Sequence, residues 1–436
     1  FIFNVDQTYI LEFGQLYMRV IKDGVQLKET AVNISGATAA NPVVVTTATH
    51  GYTDGDEIYI SGVLGMTELN NRWFKIANKT ATTFELQLMD GATNVDGSAY
   101  TAYGSVGTSE KVYEIVTTYT APDLTTLNYV QSADVITLVH PNYTPIELTR
   151  TADTTWTLAD ISFIPTVGKP TAIASTIGVA GSETWKYKVT AIDLETGEES
   201  LPGLVSTTYA ISAATKADPC VITTAAHGTA AGQEVEIYIT GVTGMTELNG
   251  RHFIATYVSG TTLSLNDTDS TEYSTYTGPS GTVQRAQIDL HLSVGTPTTL
   301  LPNVISWTRV SNAIEYNIYK EINGVYGQIG VAQGTTFNDI NIDSNTTFTP
   351  PASRNPFIGG GNYPSTVTYI QQRIAYANTD NDTEKIYLSR TANFKNFTRS
   401  SPSQADDAVT FTMAGRQVNE VQALLDLGRL VILTNG

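Results

Sequence analysis

The chain has 436 residues, with 24 Lys or Arg against 42 Asp or Glu, for a formal charge of -18. That length allows about three domains at ~150 residues each. No basic run is present to displace counterions from phosphates, which excludes sustained gripping of nucleic acid or of an anionic membrane. One cysteine, Cys220, excludes an internal disulfide framework and a cysteine-based zinc cluster. Charged residues make up only 15%, and the Ser, Thr, Asn, Gln and Gly that replace them suit strands and turns better than helix surfaces. No apolar run approaches the ~18 residues of a bilayer span, so the chain reads as soluble. Both ends, FIFNV and LVILTNG, read as cut within strands, which predicts a fragment.

From the start, Phe1, Phe3 and Val5, then Tyr9, Leu11 and Phe13, alternate with polar neighbours, and Gly14 turns the chain. Tyr17 to Leu27 predicts a strand pair around Lys22-Asp23-Gly24, because Asp-Gly between alternating runs is a hairpin signal.

A duplication follows. Ser61 to Phe74 reads SGVLGMTELNNRWF and Thr240 to Phe253 reads TGVTGMTELNGRHF; upstream, NPVVVTTATHG from Asn41 matches DPCVITTAAHG from Asp218. Each copy spans roughly 65–75 residues, the scale of one small domain. β-Branched runs such as Val43 to Thr47 and Ile58 to Ile60 alternate with Gly, Asp and Asn clusters, predicting a small β-barrel or sandwich per copy. Met-Thr-Glu-Leu-Asn between strands fits one helical turn capped by its Thr.

Between the copies, Val112 to Ile115, Val135 to His140 and Ile146 to Thr149 read as strands. Ala121 to Ala133 is the helix candidate, with Asp123 at its start and Leu124, Leu127 and Val130 at helical spacing. The first copy is therefore expected to be inserted into a hairpin of a host domain. Trp185, Tyr187 and Val189 alternate along one strand, and Ile305 to Val310 and Ile314 to Lys320 supply two more around Ser311-Asn312. Together these predict one β-sandwich split by the second copy. Pro350-Pro351 and Gly359-Gly360-Gly361 read as a linker before strands at Tyr369 to Tyr376, Lys385 to Ser389, Val409 to Met413 and Arg429 to Thr434.

The residues that could carry chemistry have structural readings. His50 and His227 hold one place in the two copies, which predicts a shared strand-end hydrogen bond. His252 aligns with Trp73, and His140 and His291 complete the five histidines, with no His-x-x-x-His spacing. Cys220 aligns with Val43, as buried packing would require, and no neighbouring His is visible to activate its thiol. Asp380 to Glu384 alternates oxygen ligands like part of a calcium loop but lacks the central Gly and distal Glu, so a turn is expected. Glu68 with Arg72 and Glu247 with Arg251 recur as intra-copy pairs, and no second carboxylate accompanies either Glu for glycoside hydrolysis. No catalytic, cofactor-binding or metal residue is assigned, and no cofactor is expected. Tyr, at 23 residues, outnumbers Phe, at 13, which favours half-wet surfaces between subunits or against a sugar.

Several stretches together resemble a known family. Asp6 to Gly24 (DQTYILEFGQLYMRVIKDG), Tyr113-Glu-Ile with Tyr119, Leu124 and Leu127, Gln131 to Pro141 (QSADVITLVHP), Ile386 to Arg390 (IYLSR), Asn393 to Phe397 (NFKNF), Asp406-Asp-Ala and Val418 to Leu424 (VNEVQAL) resemble the tail tube nozzle, or stabilisation, proteins of short-tailed bacteriophages. Trp185 to Ser200, Ile305 to Lys320, Phe337-Asn-Asp and Thr349-Pro-Pro are similar to the fibronectin type III-like insert of such proteins. The duplicated module resembles a small β-barrel domain of ubiquitin-activating enzymes, a likeness that implies no ubiquitin chemistry.

The resemblance implies an all-β fold: a discontinuous propeller-like platform (1–30 and 111–165, then 352–436), inserted small β-barrel or sandwich modules (31–110 and 211–286), and a split fibronectin type III-like sandwich (166–210 and 287–351). It further implies a non-enzymatic structural virion protein, assembled in the host cytoplasm and residing in the tail. A homo-oligomeric ring of six subunits would form the conduit for genome ejection. Its expected partners are a tail adaptor, tail fibres and the host surface, with genomic DNA passing through without specific binding. The alternative reading is a carbohydrate-binding adhesin of a phage tail or bacterial surface, with Tyr and Trp platforms on the modules. A glycosidase is the third reading, and it needs an acid pair that the sequence does not display.

Overall fold

The fold is that of a computed structural model, which describes residues 1–4, 7–227, 231–352, 354–400, 403–413 and 419–435. The expected roles of Val5, Asp6 and Val418, and of the side chains of Phe3 and His291, lie outside the described residues. Among the described residues the elements are β-strands and three single-turn 3-10 helices, so the fold is all-β. None of those helices is long and apolar enough to cross a membrane, which says nothing about crossing by strands. The chain divides into two compact units, residues 1–138 with 146–159, and residues 139–145 with 160–436.

In the first unit, strand Tyr17–Lys22 pairs with Gln7–Gly14 on one side and with both Val25–Gln26 and Glu114–Val116 on the other. Asp23 and Gly24 sit at φ 52° and 77°, the left-handed pair that a two-residue hairpin twisted with its strands requires. Between Val25–Gln26 and Glu114–Val116 the chain leaves the sheet and closes a six-stranded barrel. Its order around the wall is Thr108–Lys111, Val32–Ala37, Val44–Thr47, Thr83–Gln87, Arg72–Ala77 and Glu57–Ser61. Inward positions alternate along each strand; Ile58, Ile60, Phe74, Phe84 and Leu86 fill the interior with no exposed surface.

The expected helix over Ala121 to Ala133 is a single 3-10 turn, Asp123–Thr125, followed by strand Asn128–Ser132 of a second, four-stranded sheet. The Asp123 carboxylate accepts from Thr120 N at 2.8 Å and Thr120 Oγ1 at 2.7 Å, which closes one turn and no more. Beyond it, the β-forming Tyr129 and Val130 join the sheet edge, and tertiary pairing overrides the helical spacing of the leucines.

The second unit repeats the insertion. Strands Ala180–Asp193 and Ile288–Val294 pair in one sheet, and the chain between them closes a second barrel. Its order is Thr208–Ala214, Val221–Thr224, Thr262–Leu265, Arg251–Tyr257, Glu234–Thr240 and Thr282–Arg285. The host sheet, completed by Ala313–Ile322 and Val325–Ala332, belongs with a three-stranded sheet of Thr171–Thr176, Asn303–Thr308 and Thr336–Asp339. Tyr187, Val189, Ile305, Trp307 and Ile318 share the core between them, as a two-sheet sandwich demands.

A four-stranded sheet of Thr366–Ile370, Arg373–Ala377, Lys385–Leu388 and Val409–Thr412 follows, with the pair Val421–Asp426 and Leu430–Thr434. The expected single strand Tyr369 to Tyr376 is a hairpin: Gln371 and Gln372 turn at φ 47° and 60°, a left-handed pair without the Asn or Gly that usually signals it. The segment read as a linker is anchored. Phe357 is 2% exposed and packs edge-on against Phe163, Tyr376 and Phe397, with ring centroids 5.2, 4.9 and 5.8 Å away.

Candidate functional site

The duplicated loop is an architectural bracket. In the first barrel Val63 N donates to Asn70 Oδ1 and Asn70 Nδ2 donates to Val63 O, both at 2.8 Å; Asn249 and Val242 repeat the pair at 2.8 and 2.8 Å. Gly65 and Gly244 turn at φ 90° and 82°, and a Cβ there would meet Ala102 O at 2.4 Å or Thr275 O at 2.1 Å, so only glycine fits. The helical turns within the loop are Thr67–Leu69 and Thr246–Leu248, but neither Thr caps its turn. The residues before them are Met66 and Met245, and the asparagines hold the loop instead.

The repeated Glu and Arg meet through the backbone. Arg72 Nη1 donates to the Glu68 carbonyl at 3.1 Å and to Tyr100 Oη at 3.3 Å; Arg251 donates to the Glu247 carbonyl at 2.9 Å and to Tyr273 Oη at 3.0 Å. The carboxylates face elsewhere. Glu68 Oε1 accepts from Thr101 N at 3.0 Å and Oγ1 at 3.2 Å, and Glu247 Oε1 from Ser274 N at 2.8 Å and Oγ at 2.9 Å. Backbone donation holds the Glu68 carboxyl below its ordinary range.

The first barrel matches the family model of the ubiquitin-activating enzyme E1 FCCH domain over residues 40–112. No curated protein matches the chain. The likeness belongs to one module, whose loop and strand order the second barrel repeats.

Of the histidines, His50 Nδ1 accepts from Tyr52 N at 2.9 Å and its ring stacks on Tyr52. The His227 ring rests on Tyr257, ring centroids 4.4 Å apart. His140 Nδ1 accepts from Asn142 N at 3.1 Å. Cys220 is fully buried like Val43, its thiol donating to Thr215 O at 3.3 Å, and burial pushes that thiol above its ordinary value. In the acidic stretch, Asp382 accepts from Lys385 Nζ at 2.5 Å and Asn381 Nδ2 donates to Asn362 Oδ1 at 3.0 Å, as turn residues do.

A buried ionic cluster at the foot of the second barrel escapes the sequence reading. Glu236 accepts from Lys188 of the sandwich strand Ala180–Asp193 and bonds His252 Nδ1 at 2.8 Å. Lys169 Nζ stands 3.2 Å from His252 Nε2 and above the Tyr238 ring. Burial alone would raise the Glu236 carboxyl; Lys188 and His252 overcome it and hold it at about 2. Burial lowers His252 and pulls Lys169 down to about 8. The available signal was one substitution, His252 where the first copy has Trp73. Glu198, another buried carboxylate, accepts from Asn393 and Asn396, both at 2.6 Å, so the asparagines of NFKNF tie the last sheet to the sandwich.

The first unit carries an open apolar groove of about 560 Å³. Phe1, Tyr9, Leu11, Phe13, Leu124 and Leu127 line it, together with Ile10 and Tyr129, which are 63% and 64% exposed.

Proposed function

We propose that the chain is a structural subunit of a short-tailed phage tail nozzle, a homo-oligomeric ring through which the genome leaves, with no catalytic role. One observation carries the proposal. Tyr9, Ile10, Leu11, Phe13, Leu124, Leu127, Ile136 and Leu138, all from the stretches that resemble the nozzle family, line a single apolar groove. Apolar surface gathered in one concavity favours a protein interface, because leaving it in water forfeits ~25 cal/mol per Å². Repetition of a groove-to-neighbour contact around an axis closes a ring.

In that ring the sheets flanking the barrels would serve as platform blades, and both barrels would project as decorations. The charge of -18 suits a conduit whose carboxylates repel DNA phosphates, so that the genome slides rather than sticks. The tail adaptor and fibres would be its protein neighbours. Native mass spectrometry tests the ring: an assembly of about six chains is expected, and a chain that stays monomeric at micromolar concentration refutes it.

A carbohydrate-binding adhesin is the second reading, favoured by the half-buried Tyr59–Trp73 pair on the first barrel, tilted rings with centroids 5.1 Å apart and Lys28 Nζ over the Tyr59 face, an aromatic surface of the kind sugars contact. Glycan-array binding by the chain, lost in Trp73→Ala, would select it; silence on the array would remove it.

A further inference from the structure

The two barrels share a face but not its surroundings. Arg72 with Tyr100, and Arg251 with Tyr273, form the same hydrogen-bonded pair beside Glu68 and Glu247, and Asp96 and Asp269 each fold an Asx turn next to it. On the second barrel this face is covered by the chain's own strap from Arg354 to Gly361. Ile358 packs against the barrel core, and Gly359 crosses Tyr273 so closely that a Cβ would come within 3.3 Å of the ring. Clefts of about 410 and 400 Å³ remain on either side of the crossing. Arg354 shares the first of them with Asp267, Asp269 and Glu272. The strap leaves Tyr273 6% exposed.

Among the described residues, no such strap packs on the core of the first barrel: the partly buried hydrophobics packed there are Val32, Ala37, Tyr100 and Tyr103, all from the barrel itself. Tyr100 is half-buried where Tyr273 is buried, and Asp96 stands exposed. We propose that the Glu68–Arg72–Asp96–Tyr100 face of the first barrel docks an extended segment of a partner protein, one that carries a basic residue and, four residues on, an aliphatic anchor followed by glycine.

Each requirement is read from the strap. An aliphatic side chain covers the barrel core as Ile358 does, glycine lets backbone pass over an aromatic ring, and a cation would face the exposed Asp96 carboxylate, since Arg354 lines the same cleft as Asp269. Extended peptides bind folded modules by such alternate anchors. Asp267 and Glu272 are replaced by Asn94 and Ala99, so the first face has a weaker claim on the cation than on the anchor.

The probe is a fluorescein-labelled peptide of residues 352–362 (ASRNPFIGGGN), titrated against the whole chain, with a second version carrying a photo-crosslinker in place of the isoleucine. Saturable binding of one peptide per chain is expected, at least about tenfold weaker in Tyr100→Ala and in the exposed-site variant Asp96→Lys. Crosslinks should fall within residues 63–107. Crosslinks confined to residues 240–285, meaning exchange with the internal strap, or no saturable binding, overturn the proposal. A drop in native mass on Tyr100→Ala without peptide would overturn the partner assignment in favour of a second copy. The peptide-binding and crosslinking readouts do not depend on whether the chain forms a ring.

Discussion

Glu57 of the first barrel and Glu236 of the second hold the same position, and each meets a cation on the host sheet into which its barrel is inserted. Arg19 Nη1 lies 3.0 Å from Glu57 Oε2, and Lys188 donates to Glu236. One insertion geometry, a barrel emerging between two strands of a host sheet and anchored by one carboxylate, is used twice. The anchors differ in burial, with side chains 16% and 8% exposed. Glu236→Gln should cost about 3–5 kcal/mol, because it leaves Lys188 charged and unpaired in the interior. Glu57→Gln should cost on the order of 1 kcal/mol. Denaturant unfolding of the two variants compares them directly, and equal losses would contradict the difference in burial.

Stability should rise with pH through the Glu236 cluster, where Glu236, His252 and Lys169 act in the same direction. Folding lowers the Glu236 carboxyl from 4.5 to about 2, so its contribution is complete above 4.5 and is lost as pH falls toward 2. The unfolded chain takes a proton on His252 near 6.5 that the folded chain resists, so stability also falls as pH drops below 6.5. Lys169 releases its proton at about 8 when folded and at 10.5 when unfolded, so stability rises across that interval. In urea unfolding at about pH 5, 6.5, 8 and 10, His252→Gln should flatten the acid segment and Lys169→Met the alkaline one.

The asparagine brackets should be equivalent and independent. Asn70→Ala and Asn249→Ala each remove two hydrogen bonds to one residue's backbone, at a cost of about 1–3 kcal/mol apiece. The double variant should lose the sum, since the brackets share no partner. Thermal unfolding of the two single variants and the double variant checks this, and strong non-additivity would mean that the barrels are energetically coupled.

Much of this architecture was legible in the sequence because it is local. The repeated GMTELN motif marked both barrels, and Asp23-Gly24 marked its hairpin, since turn chemistry depends on neighbours along the chain. What escaped is long-range. Barrel closure depends on Thr108–Lys111 pairing with both Val32–Ala37 and Glu57–Ser61, a choice that no alternation pattern encodes. The leucines at 124 and 127 have helical spacing yet face a groove, because the strand that follows them is recruited to a sheet. Glu236, His252 and Lys169 carry no local mark of burial, because the sandwich strand that carries Lys188 meets them from far along the chain.

Charge placed in the apolar groove should prevent assembly while sparing the fold. Ile10 is 63% exposed, so Ile10→Asp should leave thermal stability within about 0.5 kcal/mol of the parent. It should also shift the sedimentation profile toward the single chain. Unchanged assembly would mean that the groove is not a subunit contact.

The most direct test of the nozzle reading is the native mass of the chain at micromolar concentration. A closed ring of about six 46.9 kDa chains, with an open centre in electron micrographs, is the predicted result. A monodisperse monomer across that concentration range would contradict it.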